Sequence, residues 1–384
     1  MQLKIVNIVK ENDYYIAKLN NDKYLRLGIN ELAYLMKKVE CDSLVDFTND
    51  TGVQDVPDSV KNVIDKKIEE YSNAKGSSRF EGGLSMIKLV TINPDKFLNR
   101  IYKFCKYFFS LPSVIIYVIL NILAFYLMGQ SSNNQRIIDD LSNLKINIST
   151  IVVIYISIVI TLMLHEIGHA TVCKKYGGRV TKLGIVLFFL LPCMYCDVSD
   201  VYILQNKKRK LYVSVAGLYV NSFLSVISII LYFVLSQSKA VGDFLLFYYV
   251  ANVGFIIYNL IPFVKLDGYW LLASILDINN LYTKSIICSI VAIFDRKLMK
   301  KASVSKIKRN VMIIFGFCSM IFRPIFWSFT LVSIKQQLGN SLSSNVINIG
   351  IGIVAVIVVI DLIKFYKDVY IKYHTQRQGI VNFL

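Results

Sequence analysis

The stretch TIVVIYISIVITLMLHEIGHATV, residues 150–172, decides the fold class. It is apolar over about the 20 residues that a helix needs to cross a hydrocarbon core roughly 30 Å thick. Its charged and metal-ligating side chains are confined to Leu164-His165-Glu166-Ile167-Gly168-His169, near the C-terminal end. Five further runs have the same character, at about 108–128, 211–234, 244–263, 311–334 and 346–366. Two apolar stretches, 183–196 and 285–294, are too short to span. The first is rich in Ile, Val and Phe and carries Pro192. Irregular backbone at membrane depth is tolerated only against protein or a water-filled cavity, so this stretch reads as a re-entrant strand or hairpin beside one. The expected fold is mainly α: a polytopic membrane protein with about six transmembrane helices and a strand-like re-entrant segment.

Composition agrees. Of 384 residues, 55% are hydrophobic and 18% charged, against about 25% charged in soluble domains. That balance excludes a disordered chain and argues against a soluble enzyme. The formal net charge is +17. Residues 1–75 hold 11 basic and 13 acidic side chains, so the whole excess lies further on, between the apolar runs. Lys and Arg are dense before the first run, between the second and third, between the fourth and fifth, and after the sixth. They are sparse in the alternate loops. Basic residues stay on the cytoplasmic side, so a multi-pass protein of the cell membrane is expected, with both termini cytoplasmic and lipid as a neighbour. No basic stripe interleaved with aromatics points to nucleic acid. Seven scattered cysteines do not suggest a disulfide framework.

The charge and hydropathy shifts divide the chain. Residues 1–72 read as a small cytoplasmic α+β unit: strands at 3–9, 14–19 and 24–27, a helix from Glu31 capped by Asn30, and a second helix from Asp58. Residues 73–107 read as a basic linker, 108–366 as the membrane domain with its chemical core at 150–277, and 367–384 as a cytoplasmic tail.

The chain has only three histidines, and two of them, His165 and His169, stand at i and i+4 inside one span. Residues four apart share a helix face, so both imidazoles can reach one ion, with Glu166 beside them. This is the H-E-x-x-H arrangement of two zinc ligands and a carboxylate base. A satisfied polar patch between helices is the plainer reading. It is disfavoured because ionisable groups at membrane depth are costly. A catalytic zinc needs a third protein ligand and an open position. His374 lies in the polar tail. Asp267, in Asn259-Leu260-Ile261-Pro262-Phe263-Val264-Lys265-Leu266-Asp267-Gly268, lies at the cytoplasmic end of the fourth run, at a depth similar to His165. Pro262 breaks the helix and lets the chain turn Asp267 back. Taken alone, Asp267 could equally be a helix cap.

His165-Glu166-Ile167-Gly168-His169, paired with Asn259, Pro262 and Leu266-Asp267-Gly268, resembles the site-2 protease family of intramembrane zinc metalloproteases. Ala216-Gly217-Leu218-Tyr219-Val220-Asn221 resembles that family's intervening motif, with Leu218 where a Pro is common. The resemblance covers roughly 150–277. It implies a zinc metalloendopeptidase with Zn2+ on His165, His169 and Asp267, and Glu166 as the catalytic carboxylate. By the same matching Asn221 and Asn259 would contact the substrate backbone or the developing oxyanion; interhelical hydrogen bonding is the alternative for each. Residues 191–200, LPCMYCDVSD, look like the subgroup found with bacterial peptide-biosynthesis systems. Residues 1–72 resemble small winged-helix modules that bind a leader peptide, the likeness resting on Tyr24-Leu25-Arg26-Leu27 and the helix after it. The implied substrate is a small precursor peptide; the alternatives are a transmembrane regulator, or a non-enzymatic export or immunity protein with a structural metal. Cys193 and Cys196 read as packing, and Arg323-Pro324 as a kink without an assigned role.

Overall fold

The structure is a computed structural model. It describes residues 4–11, 14–19, 24–41, 57–73, 86–143, 148–188, 191–203, 207–235, 237–278, 280–295, 305–338 and 344–383. The chain divides into two compact units, Met1–Glu81 and Gly82–Leu384.

In the first unit, β1 (Lys4–Glu11), β2 (Tyr14–Leu19), β3 (Tyr24–Leu27) and β4 (Glu40–Cys41) form a sheet in the order β3-β2-β1-β4. β1 and β4 are parallel; the other pairs are antiparallel. Alternation selects the buried face: Tyr15, Ala17 and Leu19 from β2, and Leu25 and Leu27 from β3. A bulge between Ile5 and Asn7 shifts the register, so Ile5 and Ile8, rather than Ile5 and Asn7, meet the core. Helix α1 (Ile29–Lys38) adds Leu32 and Leu35, and α2 (Asp58–Asn73) adds Ile64. The cap of α1 is Gly28, whose N–H donates to the Glu31 carboxylate (2.8 Å), two residues earlier than the expected Asn30 cap. Tyr34 and Lys38 hold Asp65 between the two helices, Lys38 at 2.6 Å.

The second unit is mostly helical: α3 (Asp95–Cys105), α4 (Leu111–Gly129), α5 (Ser131–Ser142), α6 (Ile148–Lys175), α7 (Lys207–Leu235), α8 (Lys239–Asn259), α9 (Asp267–Leu276), α10 (Leu281–Phe294), α11 (Lys306–Leu338) and α12 (Ser344–Phe383). Among the described residues, five helices are long and apolar enough to cross a membrane: α4, α6, α7, α8 and α11. The protein is therefore a membrane protein. The expected sixth run, 346–366, falls inside α12, which continues as one 40-residue helix to Phe383. The segment 73–107, expected as a linker, contains β5 (Met86–Ile92) and α3. Its Lys residues hid a strand that pairs with the 183–196 hairpin: β5, β6 (Leu183–Phe188) and β7 (Leu191–Cys196) form an antiparallel sheet in that order. Gly184 is required there, because a Cβ would run into the Val90 carbonyl and the Tyr195 ring.

α7 is the central element. Ala216, Gly217, Asn221, Ser225, Ser228, Ile229 and Tyr232 are all buried, and a helix buried on several faces needs neighbours on several sides. It packs against α4, α6, α8 and α9. Small residues set the spacing. A Cβ on Gly168 of α6 would lie 2.8 Å from Val220 and 3.2 Å from the Ala216 carbonyl, so the α6 and α7 backbones approach closely. By contrast α4 turns Ile115, Ile116, Ile119, Ile122 and Phe125 outward, as a lipid-facing helix does.

Candidate metal centre

The last turns of α6 carry His165, Glu166 and His169 inward. Asp267 arrives from the opposite direction. α8 ends at Asn259, the chain turns through Pro262, and Asp267 opens α9. That turn is tight: a Cβ on Gly268 would lie 2.5 Å from the Leu260 carbonyl carbon, so only glycine fits beside Asp267. Gly217 of α7 makes the space on the other side. A Cβ there would lie 2.5 Å from Cε1 and Nε2 of His165.

The three groups converge. His165 Nε2 and His169 Nε2 are 3.2 Å apart. His165 Nε2 lies 3.0 Å from Asp267 Oδ2, and His169 Nε2 lies 3.2 Å from Asp267 Oδ1. Both imidazoles are buried, at 2% and 6% exposure. The outer nitrogens fix the tautomers. His165 Nδ1–H donates to Asn221 Oδ1 (2.7 Å), and His169 Nδ1–H donates to the Val213 carbonyl (2.7 Å). With the proton on Nδ1 in each ring, both Nε2 atoms present lone pairs to one another and to a carboxylate. Asp267 Oδ2, although close to His165, is out of hydrogen-bonding alignment and remains a buried acceptor without a donor.

Three lone-pair donors facing one another repel unless a cation lies among them. Zn–N and Zn–O bonds of about 2.0–2.2 Å at tetrahedral angles separate neighbouring ligand atoms by roughly 3.3 Å, close to the 3.0–3.2 Å seen here. One ligand atom from each of His165, His169 and Asp267 lies within 4.8 Å of the others, the only such cluster among the described residues. The outer contacts to Asn221 and Val213 are the kind that orient metal-ligating imidazoles. The residues present therefore fit a zinc ion.

Glu166 is half-buried beside the pair, near Cys196 at the end of β7. Asn221 accepts from His165 and donates from Nδ2 to Asn252 Oδ1 (3.3 Å). Asn259 is buried and donates to the Phe255 carbonyl (3.0 Å), capping no other group of the cluster. His374 lies on α12, exposed, against the Tyr370 ring and away from the cluster. Cys193 and Cys196 stand near Glu166 and do not belong to the metal-sized group. Asn252, which the sequence motifs do not single out, is also buried, and its own Nδ2 donates to the Tyr248 carbonyl (2.9 Å). Its signal was available: an amide inside an apolar span demands a partner.

The fold and site together define a polytopic helical membrane protein built around a buried pair of histidines and an aspartate. Comparison with known proteins finds two curated relatives. The chain is 29% identical over 131 residues to "Putative peptide zinc metalloprotease protein YydH" of Bacillus subtilis (strain 168), covering 34% of this chain and 50% of that protein. It is 27% identical over 172 residues to "Zinc metalloprotease MJ0392" of Methanocaldococcus jannaschii, covering 44% of each. The aligned part thus spans about half the length of these relatives. No family model and no solved structure matches the chain.

Proposed function

We propose that the chain is an intramembrane zinc metalloendopeptidase, with Zn2+ held by His165, His169 and Asp267. One observation carries this reading: two imidazoles whose tautomers leave both Nε2 atoms bare meet the buried, undonated Oδ2 of Asp267 at ligand spacing. The names borne by the two relatives support it. A zinc ion bound there supplies a Lewis acid that polarises a carbonyl and makes water a nucleophile near neutral pH. Glu166, adjacent to the cluster, accepts a proton on its carboxylate from the attacking water and returns it to the leaving amine. Asn221 keeps the His165 ring in its ligating tautomer, and Asn259 contacts the substrate backbone at the end of α8.

A helical substrate hides its carbonyls, so hydrolysis requires an extended segment. Among the described strands β7 pairs only with β6, and its end at Cys196 lies near Glu166, so an extended peptide added to its other edge would lie beside the base. The preferred substrate is a small precursor peptide whose leader is captured by residues 1–72; a membrane-embedded segment of a transmembrane regulator is the second reading. β3 supports the first reading, since it pairs only with β2 among the described strands and offers a free edge for strand addition.

The test is Glu166→Gln in the purified full chain, assayed for zinc content and for cleavage of quenched fluorogenic peptides in detergent. Zinc should stay at the wild-type level while the rate falls by roughly 10²–10⁴-fold. Unchanged cleavage would overturn the assigned base. Zinc held by a wild-type chain that cleaves none of the peptides would instead favour a structural metal in an export or immunity protein.

A further inference from the structure

A groove of about 260 Å³ opens between α6 and α8, one helical turn deeper along α6 than His165. Ile158, Leu162 and Phe255 form its walls, and the buried carboxamides of Asn221 and Asn252 its floor; the exposed Gly254 lies at its rim. It is continuous with the candidate centre at two residues. Asn221 lines the groove while accepting from His165 Nδ1, and Phe255 lines it while setting its ring perpendicular to the His165 ring, centroids 5.4 Å apart.

The lining chemistry is selective. No Asp, Glu, Lys, Arg or His faces the groove. Small-molecule sites run to about 300–1,000 Å³, so this space suits one or two side chains rather than a large ligand. A carboxamide NH2 has two N–H groups. Asn221 uses one on Asn252 Oδ1, and Asn252 uses one on the Tyr248 carbonyl, which leaves each with a second. An extended peptide presents the complement: an apolar side chain for the walls and a backbone carbonyl for the spare N–H groups.

We propose that this groove is a specificity subsite that takes an apolar, uncharged substrate residue flanking the scissile bond, with Asn252 a binding residue alongside Asn221. The inference rests on the peptidase reading and deepens it. A charged side chain would be excluded, because nothing in the lining could pair it.

Gly254 offers the test, since an added Cβ there meets no atom within 4 Å. Gly254→Leu fills the mouth of the groove without backbone conflict, and Gly254→Ala is the milder second variant. The probes are three peptide hydroxamates, which chelate zinc, carrying Gly, Leu or Lys beside the chelating group. Their binding to the zinc-loaded full chain in micelles is measured together with zinc content. In the wild type the Leu probe should bind at least about tenfold tighter than the Gly and Lys probes, as apolar subsites discriminate. Gly254→Leu should erase that preference, Gly254→Ala should reduce it, and neither should change zinc content. Equal binding of the three probes, or a Leu preference that survives in both variants at unchanged zinc, overturns the subsite alone. A wild-type chain that takes up no zinc overturns the metal reading, and the subsite with it.

Discussion

A single methyl group at residue 217 would occupy the space that two imidazoles need. The close approach of Gly217 to His165 and His169 makes this glycine as necessary to the cluster as its ligands. Gly217→Ala is expected to destabilise the fold by about 1–3 kcal/mol, the usual cost of overpacking, and to abolish zinc uptake, read by elemental analysis of the folded fraction. Asn221→Ala should act more gently. It removes the acceptor of His165 Nδ1 and should weaken zinc affinity by about 10–100-fold, measured by chelator competition. The spacing of His165, Glu166 and His169 was legible in the sequence because helical periodicity alone puts i and i+4 on one face. The partners of the outer nitrogens were not. Val213 contributes a backbone carbonyl that any residue would supply, and Asn252 acts through another side chain.

At the scale of elements, α6 is anchored from outside the spans. Asp95 of α3 accepts from Lys174 Nζ (2.7 Å) and from the Val180 N–H (3.2 Å), which ties α3 to the end of α6 and to the chain leading into β6. Burial alone would raise the Asp95 carboxyl; the Lys174 ammonium and the Val180 amide outweigh it and hold it below the ordinary carboxylate value. A carboxyl lowered in the folded state contributes stability that is fully present above its unfolded value of about 3.9 and is lost as pH falls through the folded one. The protection factors of the α3 amides, exchange corrected for its intrinsic pH dependence, should fall below about pH 4 in the wild type. Asp95→Asn should flatten that dependence and cost roughly 1 kcal/mol at neutral pH. The sequence predicted the β6–β7 hairpin from its short apolar length and its Ile, Val and Phe content. It did not predict β5, whose partner lies about a hundred residues away. Strand pairing at that range leaves no local signature, and the neighbouring Lys residues read as linker.

At the scale of the whole molecule, apolar length marked the spans. Five emerge as separate helices among the described residues, while the last apolar run continues into the polar C-terminal stretch as α12. Hydropathy finds where a membrane segment lies but not where its helix stops, because no glycine or proline ends α12 near residue 366. The charge bias predicts that epitope tags at either terminus stay protected from outside protease in intact cells and become accessible on lysis. The division into two units gives a further expectation. Removing residues 1–72 should raise the apparent KM for a leader-bearing peptide and leave zinc content unchanged; an unaltered KM would reject recruitment by that unit. The meeting of the three ligands depends on the whole fold, since Asp267 opens α9, about a hundred residues beyond the histidine pair on α6.

Zinc K-edge X-ray absorption on the purified full chain, beside Asp267→Ala, tests the centre most directly. One zinc per chain is expected, in a shell of two imidazole nitrogens with oxygen and without sulfur at about 2.0–2.2 Å, with loss of the metal in the variant. A sulfur-containing shell, or a shell unchanged by Asp267→Ala, would contradict it.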